Sequence, residues 1–191
     1  MKSTYKNSIL NKKKICIAYL SLLNEKENLT ITNIVKIAGI NRGTFYLHFA
    51  NISEVGAYVE ELISTNFKAL EKSFRQIEID KTPEIIFTKL NEIISKDIEF
   101  YSLLIKSRKA YDIKNKIKSS IIKSISNNFM IMRYVSNYEN FKIIVQYIVS
   151  GAIDTYIDWF KGNISIPLDD ISSVLSKMIT GGLKGYINYG Y

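Results

Sequence analysis

An all-helical fold is predicted for this 191-residue chain by three features. Apolar residues recur mostly three and four positions apart, as on the buried stripe of a helix. Only Pro83 and Pro167 interrupt the chain, and no segment shows the strict alternation of a half-buried strand. About nine helices are expected.

The first helix is expected from about Ser8 to Asn24, with Ile15, Ala18, Tyr19 and Leu22 on one stripe. After the polar break "NEKEN", Thr30 is a good N-cap for a second helix, and Leu29 and Ile34 are spaced for a hydrophobic staple. That helix buries Ile34, Val35 and Ala38 and ends at Gly39, which is free to turn left-handed. A third helix follows over "NRGTFYLHF", and Asn51, with Glu54 three residues on, opens a long fourth helix to about Ile77. In "EIDKTPE", Thr82 and Pro83 suit the cap and first position of a fifth helix, which extends to about Lys96. Further helices are expected at about Ile98–Ser107, Asp112–Tyr134 and Asn140–Lys161. The last starts at Pro167, where Asp169 and Asp170 suit the positive end of the helix dipole, and runs to about Lys184. Residues 1–50 form a head and residues 51–191 a second helical domain, with the fourth helix (about 51–78) joining them.

Composition narrows the functional classes. Apolar residues make up 47% and charged residues 23%, the balance of a globular chain rather than a disordered one. One cysteine, Cys16, excludes an intramolecular disulfide and suits a reducing cytoplasm; it reads as a small buried hydrophobe. One histidine, His48, excludes a His/Cys metal cluster, and no cofactor is expected. No apolar run approaches the roughly 20 residues a membrane span needs, and no phosphate loop or patterned pair of acids suggests an enzyme. Residues 1–50 hold Lys2, Lys6, Lys12, Lys13, Lys14, Lys26, Lys36 and Arg42 against Glu25 and Glu27. This puts +6 of the chain's net +8 at one end, the footprint of a polyanion-binding module or, more plainly, of a solvated basic face.

The second and third helices, joined by "AGIN", have the form of a helix-turn-helix, in which the second member enters the DNA major groove. Ala38 lets the helices approach, Gly39 turns the chain and Ile40 plugs the angle. Phe45 and Phe49 lie on one helical face and anchor the third helix inward. A rotation of about 100° per residue then sends Gly43, Thr44 and Leu47 outward, with Arg42, Tyr46 and His48 on the flanks. Gly43 allows close backbone approach, Thr44 donates to phosphate and Leu47 meets a thymine methyl. Arg42 reaches a phosphate or a guanine, and Tyr46 and His48 donate to phosphates beside the groove. Taken singly, Tyr46 and His48 also fit as boundary residues of an amphipathic helix, and Leu47 as an ordinary exposed leucine.

The stretch "LTITNIVKIAGINRGTFYLHFANISEV" resembles the DNA-binding signature of the TetR (tetracycline-repressor-like) family of bacterial regulators, over about residues 10–60. "DWFKGN" is similar to a subgroup with a short C-terminal domain. The resemblance implies a homodimeric repressor whose two heads bind a pseudo-palindromic double-stranded DNA operator. It also implies a C-terminal domain that dimerises and, in many members, takes a small-molecule effector. Carried onto this chain, it makes Thr30, Asn41, Arg42, Gly43, Thr44, Tyr46 and His48 the DNA contacts. Family members commonly carry a phosphate-touching lysine near the position of Ile52; its absence shifts weight onto Lys6, Lys12 to Lys14 and Lys36.

The eighth and ninth helices are candidates for the dimer interface, since "FKIIVQYIVSGAIDTYIDWF" is too apolar for one narrow stripe. Tyr147, Gly151, Ile153 and Trp159 on the eighth helix would form it with Val174, Met178 and Gly181 on the ninth. The same residues would also serve packing within one subunit. Phe87, Phe100, Tyr101 and Tyr134 are candidates for an effector pocket, although aromatics at this spacing more often form plain core. The run Lys106, Arg108, Lys109, Lys114, Lys116, Lys118 and Lys123 reads as a solvated face, or as a surface for an acidic partner or DNA flanks. A regulator acting through protein contacts, and an enzyme without a recognisable motif, are the alternatives to a DNA-binding repressor.

Overall fold

The computed structural model describes residues 2–25, 28–74, 82–128, 132 and 137–188. Among the described residues there are nine helices and no strand: α1 (Lys2–Asn24), α2 (Ile31–Ala38), α3 (Arg42–Tyr46), α4 (Ile52–Phe74), α5 (Thr82–Lys96), α6 (Ile98–Lys106), α7 (Ala110–Ser126), α8 (Tyr138–Phe160) and α9 (Leu168–Asn188). The chain packs as two compact units, one of residues 1–64 and 97–111, the other of residues 65–96 and 112–191. The first unit is thus discontinuous in sequence. It differs from the head expected at residues 1–50, because α6 returns from the middle of the chain to pack on α1.

In the first unit α1 packs against α2 and α6, and α2 against α3. Helix α1 starts at Lys2 rather than Ser8, since nothing between them breaks a helix. Its stripe of Ile15, Ala18, Tyr19 and Leu22 is buried, as are Val55, Val59 and Ile63 of α4. Two polar contacts hold α6 to α1: Lys13 Nζ lies 2.8 Å from Asp97 Oδ1, and Asn24 Nδ2 donates to the Leu103 carbonyl at 3.1 Å. Just beyond α6, Lys109 Nζ lies 3.6 Å from Glu60 Oε1 and 5.9 Å from the Tyr19 ring centroid. Gly56 makes room for this meeting, since a Cβ there would stand 2.8 Å from the Tyr19 hydroxyl. Cys16 is buried, and that burial pushes its thiol up to about 12, with Lys12 opposing the shift and Asp97 adding to it.

In the second unit α9 packs along α5 and touches α8. A buried polar knot ties the three. Tyr156 of α8 donates to Asn91 Oδ1 at 2.8 Å, and Asn91 Nδ2 donates to the Leu168 carbonyl at 3.1 Å and to Asp169 Oδ1 at 3.0 Å. Burial, helped by the nearby Asp169 carboxylate, raises the Tyr156 pKa and keeps the phenol protonated as a donor. Phe87 stacks on the Tyr156 ring, with centroids 6.2 Å apart. A separate apolar cluster of Phe141, Val145 and Val149 gathers Ile121, Ile122 and Ile125 of α7, with Ile153 packed against it. Helix α7 ends at Ser126, with Asn127 in a turn and Asn128 outside the helix, short of the end expected near Tyr134; most of residues 129–134 lie outside the described residues.

The knot yields a stability prediction. Tyr156→Phe removes the only described donor to a buried carbonyl-type oxygen, and Asn91→Ala strips partners from both Tyr156 and the first turn of α9. Each should cost about 1–3 kcal/mol, Asn91→Ala the more, read as a lowered midpoint in urea unfolding of the second unit.

Candidate nucleic-acid interface

Local chemistry fixes where the two short helices begin and where α2 ends. Thr30 is extended and its Oγ1 accepts from the Asn33 N–H at 3.2 Å, capping α2. At the other end Gly39 takes φ +63°. Its N–H donates to the Lys36 carbonyl at 3.3 Å, and the Ile40 N–H reaches the Val35 carbonyl at 3.1 Å. These paired bonds close the helix end, and the left-handed backbone is one that glycine adopts without a Cβ penalty. Two residues later Asn41 caps α3, its Oδ1 accepting from the Thr44 N–H at 2.7 Å. Asn51 caps α4 in the same way at 3.0 Å, while Glu54 reaches back one residue further than a capping box would place it, to the Ala50 N–H at 2.8 Å.

Helix α3 has only five residues, but the turn goes on beyond it. Leu47 N–H donates to the Gly43 carbonyl at 3.0 Å and Phe49 N–H to the Phe45 carbonyl at 3.0 Å. Side chains from Arg42 to Phe49 therefore keep helical spacing. Phe45 is completely buried and Phe49 nearly so. Their rings belong to an aromatic series: Tyr46 lies edge-on to Phe45 at 5.5 Å, Phe45 is 6.2 Å from Phe49, and Phe49 is 5.5 Å from Tyr58 of α4. Lys12 of α1 sits 4.9 Å over the Tyr58 ring. The series joins α3 to α4 and α1 through ring contacts.

The outer face follows from this anchor. Leu47 is 81% exposed and Tyr46 56%, while Gly43, Arg42 and Asn41 are exposed and Thr44 and His48 half-buried. Tyr46 thus stands further out than a flanking position implies, with its ring in T-shaped contact with Phe45. Lys36 is exposed on α2, as is Thr30 at its cap. The described side chains among the candidates of residues 30–48 thus lie in one unit, on two consecutive helices and their caps. Lys6 lies where side chains are outside the described residues. Burial, and secondarily the charge of Lys12, lowers the His48 pKa below its usual value, which favours a neutral imidazole with one N–H to donate.

Sequence patterning passed over Thr32. Its Oγ1 accepts from Arg42 Nη2 at 2.7 Å, so the first turn of α2 holds the guanidinium carried by the first residue of α3. The signal available was an exposed β-branched hydroxyl in an otherwise mostly apolar eight-residue helix.

The other candidate residues lie apart from this surface. On α8 and α9, Tyr147 is 80% exposed, Met178 67% and Val174 51%, and Gly151 and Gly181 are exposed. Ile153 packs inward on the Phe141–Val145–Val149 cluster, and Trp159 Nε1 donates to the Ile166 carbonyl at 2.8 Å, pinning the loop that leads to α9. Phe87 is buried in the second unit, whereas Phe100 and Tyr101, in edge contact at 5.3 Å, are buried in the first; Tyr134 lies outside the described residues. Of the central basic run, Lys109 pairs with Glu60 and Lys114 with Asp154, so part of that charge is engaged within the fold. Among the described residues no helix is long and apolar enough to cross a membrane, and no His, Cys, Asp and Glu group could hold a metal ion.

Comparison with known proteins agrees with this architecture. No curated protein matches the chain in sequence. A solved structure described as a gamma-butyrolactone receptor (ArpA-like protein) superposes with a TM-score of 0.58 at 11% identity, over 92% of this chain and 99% of that one, which is a likeness of fold. The family model for the C-terminal region of TetR-type transcriptional regulators matches residues 81–181, the stretch that includes "DWFKGN". With more than half its length matched, the chain belongs to the TetR family of transcriptional regulators.

Proposed function

We propose that the protein is a dimeric repressor that binds a pseudo-palindromic DNA operator through α3 and is released or retained by a small-molecule effector. The observation that carries this reading is the outer face of α3, where a glycine, an 81%-exposed leucine and an exposed tyrosine are held rigidly by two buried phenylalanines. Water is a poor partner for such a face, whereas a groove lined with phosphates, base edges and thymine methyls suits it. Arg42, Tyr46, Thr44 and His48 supply donors there, Lys36 and the caps Thr30 and Asn41 add contacts at the rim, and Gly43 lets the backbone come close.

Dimerisation is assigned to α8 and α9. Ile143, Tyr147 and Gly151 recur every four residues on α8, and Val174, Met178 and Gly181 share a face of α9, leaving apolar surface exposed on both helices. Paired with the same helices of a second chain, these faces would give an isologous interface. Ile153 and Trp159 contribute by shaping the helix and its following loop. The effector is assigned to the second unit, with Phe87 on Tyr156 as an aromatic wall; the fold likeness to a protein described as a gamma-butyrolactone receptor supports a small organic ligand.

Two measurements test the DNA reading. Arg42→Ala and Tyr46→Ala should each weaken binding to an operator selected from genomic fragments by about 1–3 kcal/mol, with the dimer intact by sedimentation. Wild-type affinity should fall linearly with salt on logarithmic axes. Unchanged binding by both variants would remove α3 from the interface.

A further measurement uses pH. In the free protein the His48 pKa is lowered, first by burial and then by Lys12. DNA phosphates favour the imidazolium, so the bound-state pKa lies above the free-state one and binding takes up protons. Affinity should therefore be higher toward pH 6 and fall toward about pH 8, and His48→Gln should flatten that slope. A slope unchanged by the substitution would place His48 away from phosphate.

A further inference from the structure

Arg42 is exposed and sits on a flexible three-carbon stem, yet its guanidinium is tethered: Nη2 donates to Thr32 Oγ1 at 2.7 Å. Guanidinium is planar, so one hydrogen bond at one nitrogen restricts the plane and direction of the donors that are left. The partner is itself stiff. Thr32 is β-branched, lies in the first turn of α2 behind the Thr30 cap, and has few χ1 rotamers in a helix. Helix α2 is in turn fixed to α3 by the Gly39 turn. The donor fork of Arg42 is therefore aimed by the scaffold before any ligand arrives.

We infer that Thr32 is a positioning residue that sets the sequence discrimination of Arg42. The inference rests on the DNA reading above and deepens it. Paired donation to the O6 and N7 of a guanine requires both the plane and the direction of the fork to be right, whereas a phosphate accepts a guanidinium from many angles. A free Arg42 would still bind DNA through phosphates; a tethered one distinguishes bases. Loss of the tether should thus lower specificity while leaving sequence-independent binding nearly unchanged.

The test compares the full-length wild type with Thr32→Val, Thr32→Ala, Thr32→Ser and Arg42→Ala, and with the Thr32→Val/Arg42→Ala double variant. Each is titrated at fixed salt against a duplex selected by the wild type from a random-sequence pool and against a scrambled duplex of equal length. Thr32→Val keeps the shape of the side chain and Thr32→Ala shortens it, so agreement between them isolates the hydroxyl. Both should reduce the ratio of the two affinities about tenfold, mainly through the selected duplex, and Thr32→Ser should keep it. In the Arg42→Ala background, Thr32→Val should change nothing further. A wild-type ratio in Thr32→Val and Thr32→Ala, or an equal loss with and without Arg42, overturns the positioning role while Arg42→Ala still weakens binding. If the wild type binds no duplex, or Arg42→Ala binds as the wild type does, the DNA role of Arg42 falls and the inference with it.

Discussion

The head depends on the burial of Phe45. Helix α3 has five residues, far short of the roughly 12–15 that a helix needs to persist alone in water, so its shape is imposed by packing rather than by propensity. Phe45, completely buried, and Phe49 supply that packing, and the ring contacts from Tyr46 through to Tyr58 pass the constraint on to α4. Remove the anchor and the outward direction of Leu47 and Tyr46 loses its meaning, because the cap, the turn and the Arg42–Thr32 bond act only at the start of so short a helix. The Asn41 cap and the Gly39 turn fix where the helix starts; the phenylalanines fix which way it faces.

Charge in the head serves two ends. The N-terminal excess of basic residues reads at first as a single electrostatic footprint, but several of its members are also held within the fold. Lys13 is bonded to Asp97 and Lys12 lies over Tyr58, where it also influences His48. Asp97 precedes α6 without making a side-chain cap hydrogen bond to it, and its carboxylate lies against Lys13 instead. Such surface pairs contribute little to stability singly, so their larger effect is on where the two helices sit relative to one another.

What was legible in the sequence was local. Thr30, Asn41 and Asn51 act as caps, Gly39 turns left-handed, and the stripe Ile15–Leu22 is buried, each set by neighbours within about a turn. The outward placement of Gly43 and Leu47 followed from the Phe45–Phe49 spacing for the same reason. Contacts between distant parts of the chain were not legible. The tether from Arg42 to Thr32 crosses the turn between two helices, the Asn91–Tyr156 bond joins two helices far apart in sequence, and Ile153 faces inward because Phe141, Val145 and Val149 gather on that side. Hydrophobic period shows that a face is buried but not what covers it. So Phe87, Phe100 and Tyr101 looked like one aromatic set, though the packing divides them between two units.

The return of residues 97–111 to the first unit bears on how the protein is made. The apolar stripe of α1 emerges from the ribosome first, but the helix that packs beside it and the lysine that meets Glu60 and Tyr19 are synthesised some eighty to ninety residues later. At roughly 5–20 residues per second, that leaves seconds in which the nascent head lacks one of its walls. The same chain geometry means that a fragment cut after residue 64 lacks part of the unit it was meant to isolate. Assembly of the head is a late event in synthesis, although most of its residues come first.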